Sequence, residues 1–246
     1  MKLTLILFLI LTSIAVFGTT VKPVKVTDPT DPKLECTSWR IGSYGSYIYK
    51  SPSKYDLVFW PYTSSSGIMY CKDSGFISFI GDSKLKETEL VKIKEYLKKN
   101  TKKPNTFLLK LKRLEEIYAL RDKKPKFKNA FKRSLAYLYE TNKKHKSANR
   151  CRKEALEGLY KLLKTKLSDY DKLQYTYLTA NYERQLGNVK KSDKNISKLK
   201  NMIKKIKDDK NEQKKLKGAA DYFSELLEDT KFIKKGGVLR PKLPKK

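Results

Sequence analysis

Residues able to do covalent or metal chemistry are few in this chain. The one histidine, His145, sits in the run Lys143-Lys144-His145-Lys146, and the three cysteines are Cys36, Cys71 and Cys151. A Ser–His–Asp or Cys–His relay needs a histidine oriented by a second group, and nothing near His145 in sequence supplies that spacing. Cys36-Thr37-Ser38-Trp39 and Cys71-Lys72-Asp73-Ser74 each keep the first half of a C-x-x-C knuckle. A tetrahedral zinc site takes four nitrogen or sulfur ligands, so two cysteines without a neighbouring histidine fall short and no metal is expected. Two readings of the pair stay open: a Cys36–Cys71 disulfide if the loops meet in an oxidising compartment, or two separate buried thiols. Cys151 lies on an apolar helical stripe and reads as a packed thiol rather than a nucleophile. The adjacent acids Glu115-Glu116, Asp208-Asp209 and Glu228-Asp229 point to different helix faces and read as solvated. No glycine-rich loop precedes a helix to cradle phosphate, so no cofactor is expected and the chain does not read as an enzyme.

The elements that must position these residues divide the chain into five parts. Met1-Lys2 opens an apolar run over residues 3–17 that ends in Val16-Phe17-Gly18. That is short of the ~20 residues a membrane span needs, and it predicts a secretory signal over 1–18, cleaved before Thr19. Residues 19–33, carrying Pro23, Pro29 and Pro32, read as an extended linker. Residues 34–82 read as a small β-rich domain, with YIY, DLVFW and GFISFI as short strands between glycine and serine turns. At about 50 residues it buries little alone, so a covalent staple or docking onto the rest is expected. Residues 83–230 switch to helical periodicity with seven apolar stripes, among them Ala148, Cys151, Ala155, Leu159 and Leu162, and Tyr170, Leu173, Tyr177 and Ala180. Residues 231–246, with seven basic residues and no acids, read as a flexible basic tail.

The helical part repeats itself. Ala136 and Ala180, Ala148 and Ser192, and Ala155 and Leu199 are each 44 positions apart, the mark of stacked helix–turn–helix units. Ala136, Ala148 and Ala180 read as crossing positions, where only a small side chain lets two helices approach, and Gly187 as the left-handed cap before a turn. The fold class expected is mainly α: stacked antiparallel helical hairpins with a small N-terminal β-rich unit.

Taken together, the half-knuckle at Cys36, the segment Tyr55-Asp56-x-x-Phe59-x-Pro61-Tyr62, the half-knuckle Cys71-x-x-Ser74-Gly75-Phe76 and Arg184-x-Leu186-Gly187-Asn188 resemble an uncharacterised bacterial family. That family joins a CxxC…CxxC knuckle domain to tetratricopeptide-like helices. The resemblance implies a tetratricopeptide-like array. Because Trp39 and Ser74 stand where the family carries metal-binding cysteines, it implies no metal here.

Charge adds a second theme. The formal net charge is +30, with +21 of it in residues 84–230 and +7 in the tail. Lysine supplies 48 of the 56 basic residues, whereas a specific nucleic-acid reader relies on arginine, so no specific nucleic acid is expected. Two binding roles follow from the sequence. The first is an exported scaffold whose helical array engages a protein or peptide partner. The alternative is a lysine-rich adsorber of anionic lipid head groups or polyanions, for which the loop Lys143, Lys144, His145 and Lys146 is a candidate contact. No small-molecule substrate is evident.

Overall fold

A computed structural model describes residues 20–43, 52–210 and 213–230; the expected signal segment (1–18), the YIY run and the expected basic tail (231–246) lie outside the described residues. The expected linker is instead half of a β-hairpin. Strand β1 (Thr20–Asp28) pairs antiparallel with β2 (Asp31–Ser43). The turn is set by Asp28, whose Oδ1 accepts hydrogen bonds from Thr30 N and Oγ1, both at 2.7 Å. Pro23 is tolerated because β1 is the edge of the sheet, where it is exposed and a missing N–H removes no ladder bond from the interior, and Pro29 falls in the turn. Thr37 of β2 pairs with Tyr70 of β3 (Ile68–Tyr70), which pairs with β4 (Ile77–Phe79), giving the order β1-β2-β3-β4. Behind the sheet, Cys36 and Cys71 are joined by a disulfide. The segment DLVFW forms no strand. It follows a short 3-10 turn at Pro52–Tyr55 and continues as irregular, mostly buried chain.

Among the described residues seven helices follow: α1 (Glu87–Lys99), α2 (Phe107–Ala119), α3 (Pro125–Thr141), α4 (His145–Leu163), α5 (Asp169–Gln185), α6 (Val189–Asp208) and α7 (Lys214–Thr230). Local signals set several starts. Thr106 Oγ1 accepts from Leu109 N, Ser168 Oγ accepts from Asp171 N, and Pro125 opens α3. Helices α3 and α5 begin and end 44 residues apart, and α4 and α6 begin 44 apart. The turns repeat as well. Lys144 N bonds to Tyr139 O in the first hairpin as Asn188 N bonds to Glu183 O in the second. Lys143 (φ 59°) and Gly187 (φ 90°) take the same left-handed place. Ala136, Ala148, Ala180 and Ser192 are fully buried on these paired helices, so the close approach of each hairpin rests on small side chains. Tyr170, expected on an inward stripe, is exposed at the start of α5.

The sheet is not a separate domain. One core joins Cys36, Cys71, Phe76, Ile77 and Phe79 to Ile93 of α1, Leu111, Leu114 and Ile117 of α2, and Phe131 and Leu135 of α3. A second core joins Leu57 to α4, α5, α6 and α7. Sharing apolar surface lets a β unit too small to stand alone hold its shape. Helix α5 is central: Leu173, Tyr177, Ala180 and Tyr182 are fully buried, and so are Thr179 and Asn181. Four of the arginines, Arg113, Arg121, Arg133 and Arg152, are buried and serve the interior. Arg113 Nη2 donates to the carbonyls of Asn100 and Lys102 after α1, and Arg121 donates to those of Asp82 and Lys84 before it.

Candidate binding cleft

Two surfaces of the helical array matter, one filled and one open. The filled one is the face shared by α3, α4 and α5, which holds the chain's own residues 53–58, each under 9% exposed. Recognition is through the main chain. Arg133 Nη1 donates to the carbonyls of Asp56 (2.5 Å) and Leu57 (2.9 Å), and Asn181 Nδ2 donates to that of Tyr55 (3.1 Å). Asn181 Oδ1 accepts from Thr230 Oγ1, tying α7 to the same point. The Asp56 carboxyl is fully enclosed. Burial pushes its pKa above the ordinary 3.8, while the nearby Arg152, Tyr182 and Arg133 oppose that rise without overcoming it.

The open surface is a cleft of about 830 Å³ where α2 leans away from the α3–α4 hairpin. Its floor is apolar, with Leu108, Tyr118, Phe131 and Tyr139 among the lining residues. Tyr118 is stacked between Phe127 and Phe131 (centroids 5.8 and 4.4 Å), and its hydroxyl donates to Asp82 and accepts from Phe79 N. The rim carries Lys112, Lys128, Lys132, Lys144 and Arg150 against Glu115 and Glu116. Glu115 is not a solvated acid, because its side chain is 19% exposed and bridges three helices. It accepts from Lys132 of α3 (2.8 Å) and, through both oxygens, from Arg150 of α4 (2.8 and 2.7 Å). Burial alone would raise its pKa, but those donors outweigh burial and hold it below the ordinary 4.5. Glu116 accepts from the Tyr96 hydroxyl and lies 3.9 Å from Lys112. Both carboxylates are therefore committed to cations or hydroxyls of the fold. Lys128 and Lys144 form no ion pair among the described residues, and a ligand entering the cleft meets them as free positive charge.

The sequence-selected residues are scattered across this picture. Of the basic run, Lys144 lines the cleft, Lys143 makes the turn, and Lys146 is exposed beyond it. The loop is shorter than expected, because His145 already opens α4. The His145 Nδ1 lies 2.9 Å from Glu140 Oε1, whose other oxygen accepts from the buried Arg152 at 2.9 Å. Cys151 is packed inside α4 with its thiol pushed up to about 12, chiefly by burial and then by Glu115. The half-knuckles differ from each other. Residues 71–75 do make a tight turn, with Gly75 N bonded to Cys71 O, whereas residues 36–39 run straight along β2. Asp28, Cys36 and Cys71 place possible ligand atoms within 4.8 Å of one another. That cluster does not suit a metal: the sulfurs are bonded to each other, and Asp28 accepts from Thr30 and, at 2.5 Å, from Ser74 Oγ.

No family model, curated protein or solved structure matches the chain. The chemistry of the cleft rests on its own side chains. Those that sequence reasoning passed over are Lys112, Lys128, Lys132, Glu115 and Arg150, which sit on three different helices at spacings that share no motif. The available signal was the aromatic content of α3, where Phe127, Phe131 and Tyr139 recur at four and eight residues.

Proposed function

We propose that this chain is an exported, non-enzymatic binding protein whose helical array engages a peptide segment of a partner protein at the α2–α3–α4 cleft. The observation that carries this reading is the pairing of an aromatic floor with unpaired Lys128 and Lys144 on the rim. Such a surface suits an acidic segment bearing an aromatic or aliphatic anchor. The resemblance to a tetratricopeptide-like array supports the same class. Export is supported by the apolar N-terminal run in the sequence and is compatible with the Cys36–Cys71 disulfide. No helix among the described residues is long and apolar enough to cross a membrane. The test is selection from a displayed random-heptapeptide library. Enrichment of peptides that combine Asp or Glu with Phe or Leu, lost on K128E/K144E, is the expected result. Peptides that bind the double variant equally well would refute the assignment.

A second reading has its own observation. Helix α6 turns Lys190, Lys191, Lys194, Lys198, Lys200 and Lys204 to solvent while burying Leu199, Ile203 and Ile206. That face would adsorb to anionic lipid head groups by charge, with no apolar stripe to insert. Retention on anionic but not zwitterionic vesicles, falling steeply with salt and abolished by charge reversal on α6, would favour it.

A further inference from the structure

The period-2 alternation of β2 sends Cys36 and Ser38 into the core and Thr37 and Trp39 to the opposite face. On that face lies a second cleft of about 750 Å³, between the sheet and the loop that leads into α2. Trp39, Tyr70 and Phe107 supply its rings and Lys72, Lys103 and Lys110 its charge. Among the described residues no aspartate or glutamate lines it. The remaining lining includes serine, threonine and asparagine side chains, which can donate and accept hydrogen bonds. The Lys110 ammonium stands 4.5 Å from the Tyr70 ring centroid, holding a cation over the floor. The Tyr70 hydroxyl is buried without a hydrogen-bond partner, and the N-terminal turn of α2 opens at Phe107 with its positive dipole end. The cleft is also rigid, since the Cys36–Cys71 disulfide bonds the neighbours of the Thr37–Tyr70 pair across β2 and β3.

From these features we infer that this cleft binds an acidic oligosaccharide, a pyranose chain bearing carboxylate or sulfate groups. Ring faces of sugars pack on Trp39 and Phe107, while Lys72 and Lys110 take the anionic substituents, the Lys103 ammonium being held by the Asp73 carbonyl. The hydroxyl-rich walls fit a polyhydroxylated chain. Single-stranded nucleic acid is the poorer match, because the cations are all lysine and the Tyr70 face that a base would stack on is already covered by Lys110. The site shares no lining residue with the α2–α3–α4 cleft and does not depend on what binds there.

The test is titration of the purified full chain with hexagalacturonate and heparin hexasaccharide, with neutral cellohexaose and the oligonucleotide dT8 as comparators. Tryptophan fluorescence and calorimetry serve as readouts. At least one acidic hexasaccharide is expected to bind and perturb Trp39 emission, with cellohexaose weaker by about tenfold or more through loss of the ionic contacts. K72A/K110A is expected to weaken binding about tenfold, and K164A/K166A, which removes the same charge from the exposed turn after α4, less than about twofold. Trp39→Leu should weaken binding while Trp39→Phe largely preserves it, which separates loss of stacking from loss of folding. Equal losses from the two lysine pairs, no binding of either acidic hexasaccharide, or tighter binding of dT8 at the same salt would each overturn the inference.

Discussion

Replacing Arg133 by Met tests how the β unit is joined to the helices. Methionine keeps most of the apolar volume and removes the guanidinium. The change deletes two hydrogen bonds to the carbonyls of Asp56 and Leu57 and a third, at 3.2 Å, to Asn129 Oδ1. A hydrogen bond from a charged donor is worth about 1.5–3 kcal/mol, and each buried carbonyl left unpaired adds to the loss. The enclosed Asp56 also loses one of its two flanking cations. Such breaks in a buried charged network cost about 3–5 kcal/mol, a large part of the 5–15 kcal/mol of a typical domain. Urea unfolding followed by circular dichroism measures this, with exposed Arg40→Met on β2 as control, expected within about 0.5 kcal/mol of the parent. Proteolysis within 53–58 should accelerate in parallel. A loss below about 1 kcal/mol for Arg133→Met, the scale of an exposed ion pair, would refute the claim that this arginine holds the segment.

Glu115→Gln should lower stability by about 1–2 kcal/mol at neutral pH, since a charge-assisted bidentate pair is lost. Because the folded carboxyl sits below 4.5, its contribution is present above that value and lost as pH falls through the folded pKa. The gap between parent and variant should therefore close under acid titration, and a gap that widens would contradict the pairing. Reducing the Cys36–Cys71 disulfide, which spans 35 residues, should destabilise the chain by at most about 4 kcal/mol, seen as a lower midpoint in dithiothreitol. An unchanged midpoint would mean the β unit is held by the helices alone. Gly187→Lys should cost about 1 kcal/mol while Lys143→Gly is neutral or mildly stabilising, because both positions are left-handed. Opposite signs would undo the equivalence of the two turns.

What could be read from sequence was the local and the repeated. The 44-residue offset survived because the small residues Ala136 and Ala180 carry the packing of equivalent helices. The edge hairpin was obscured because Pro23, Pro29 and Pro32 signal a linker to local reasoning, and only the pairing with β2 shows that Pro23 stands on an outer strand. The segment after Pro52 looked like a strand because Leu57, Val58, Phe59 and Trp60 are strand formers. Its carbonyls are instead satisfied by Arg133 and Asn181, residues 77 and 126 positions away, and no local pattern encodes such partners. The face of α3, α4 and α5 is therefore filled by a distant part of the same chain. Likewise Glu115 and Glu116 look solvated in sequence because the groups that donate to them, Lys132 and Arg150 for Glu115 and Tyr96 for Glu116, come from other helices.

The central claim is that a peptide partner enters the open α2–α3–α4 cleft and leaves residues 53–58 in place. Amide chemical shifts recorded while a selected acidic peptide is titrated in address it directly. The account predicts saturable shifts at Ala119, Phe131 and Lys144 with those of Tyr55, Asp56 and Asn181 unmoved. Shifts concentrated at Tyr55 and Asn181, with the cleft silent, would show the partner displacing the internal segment and would contradict it.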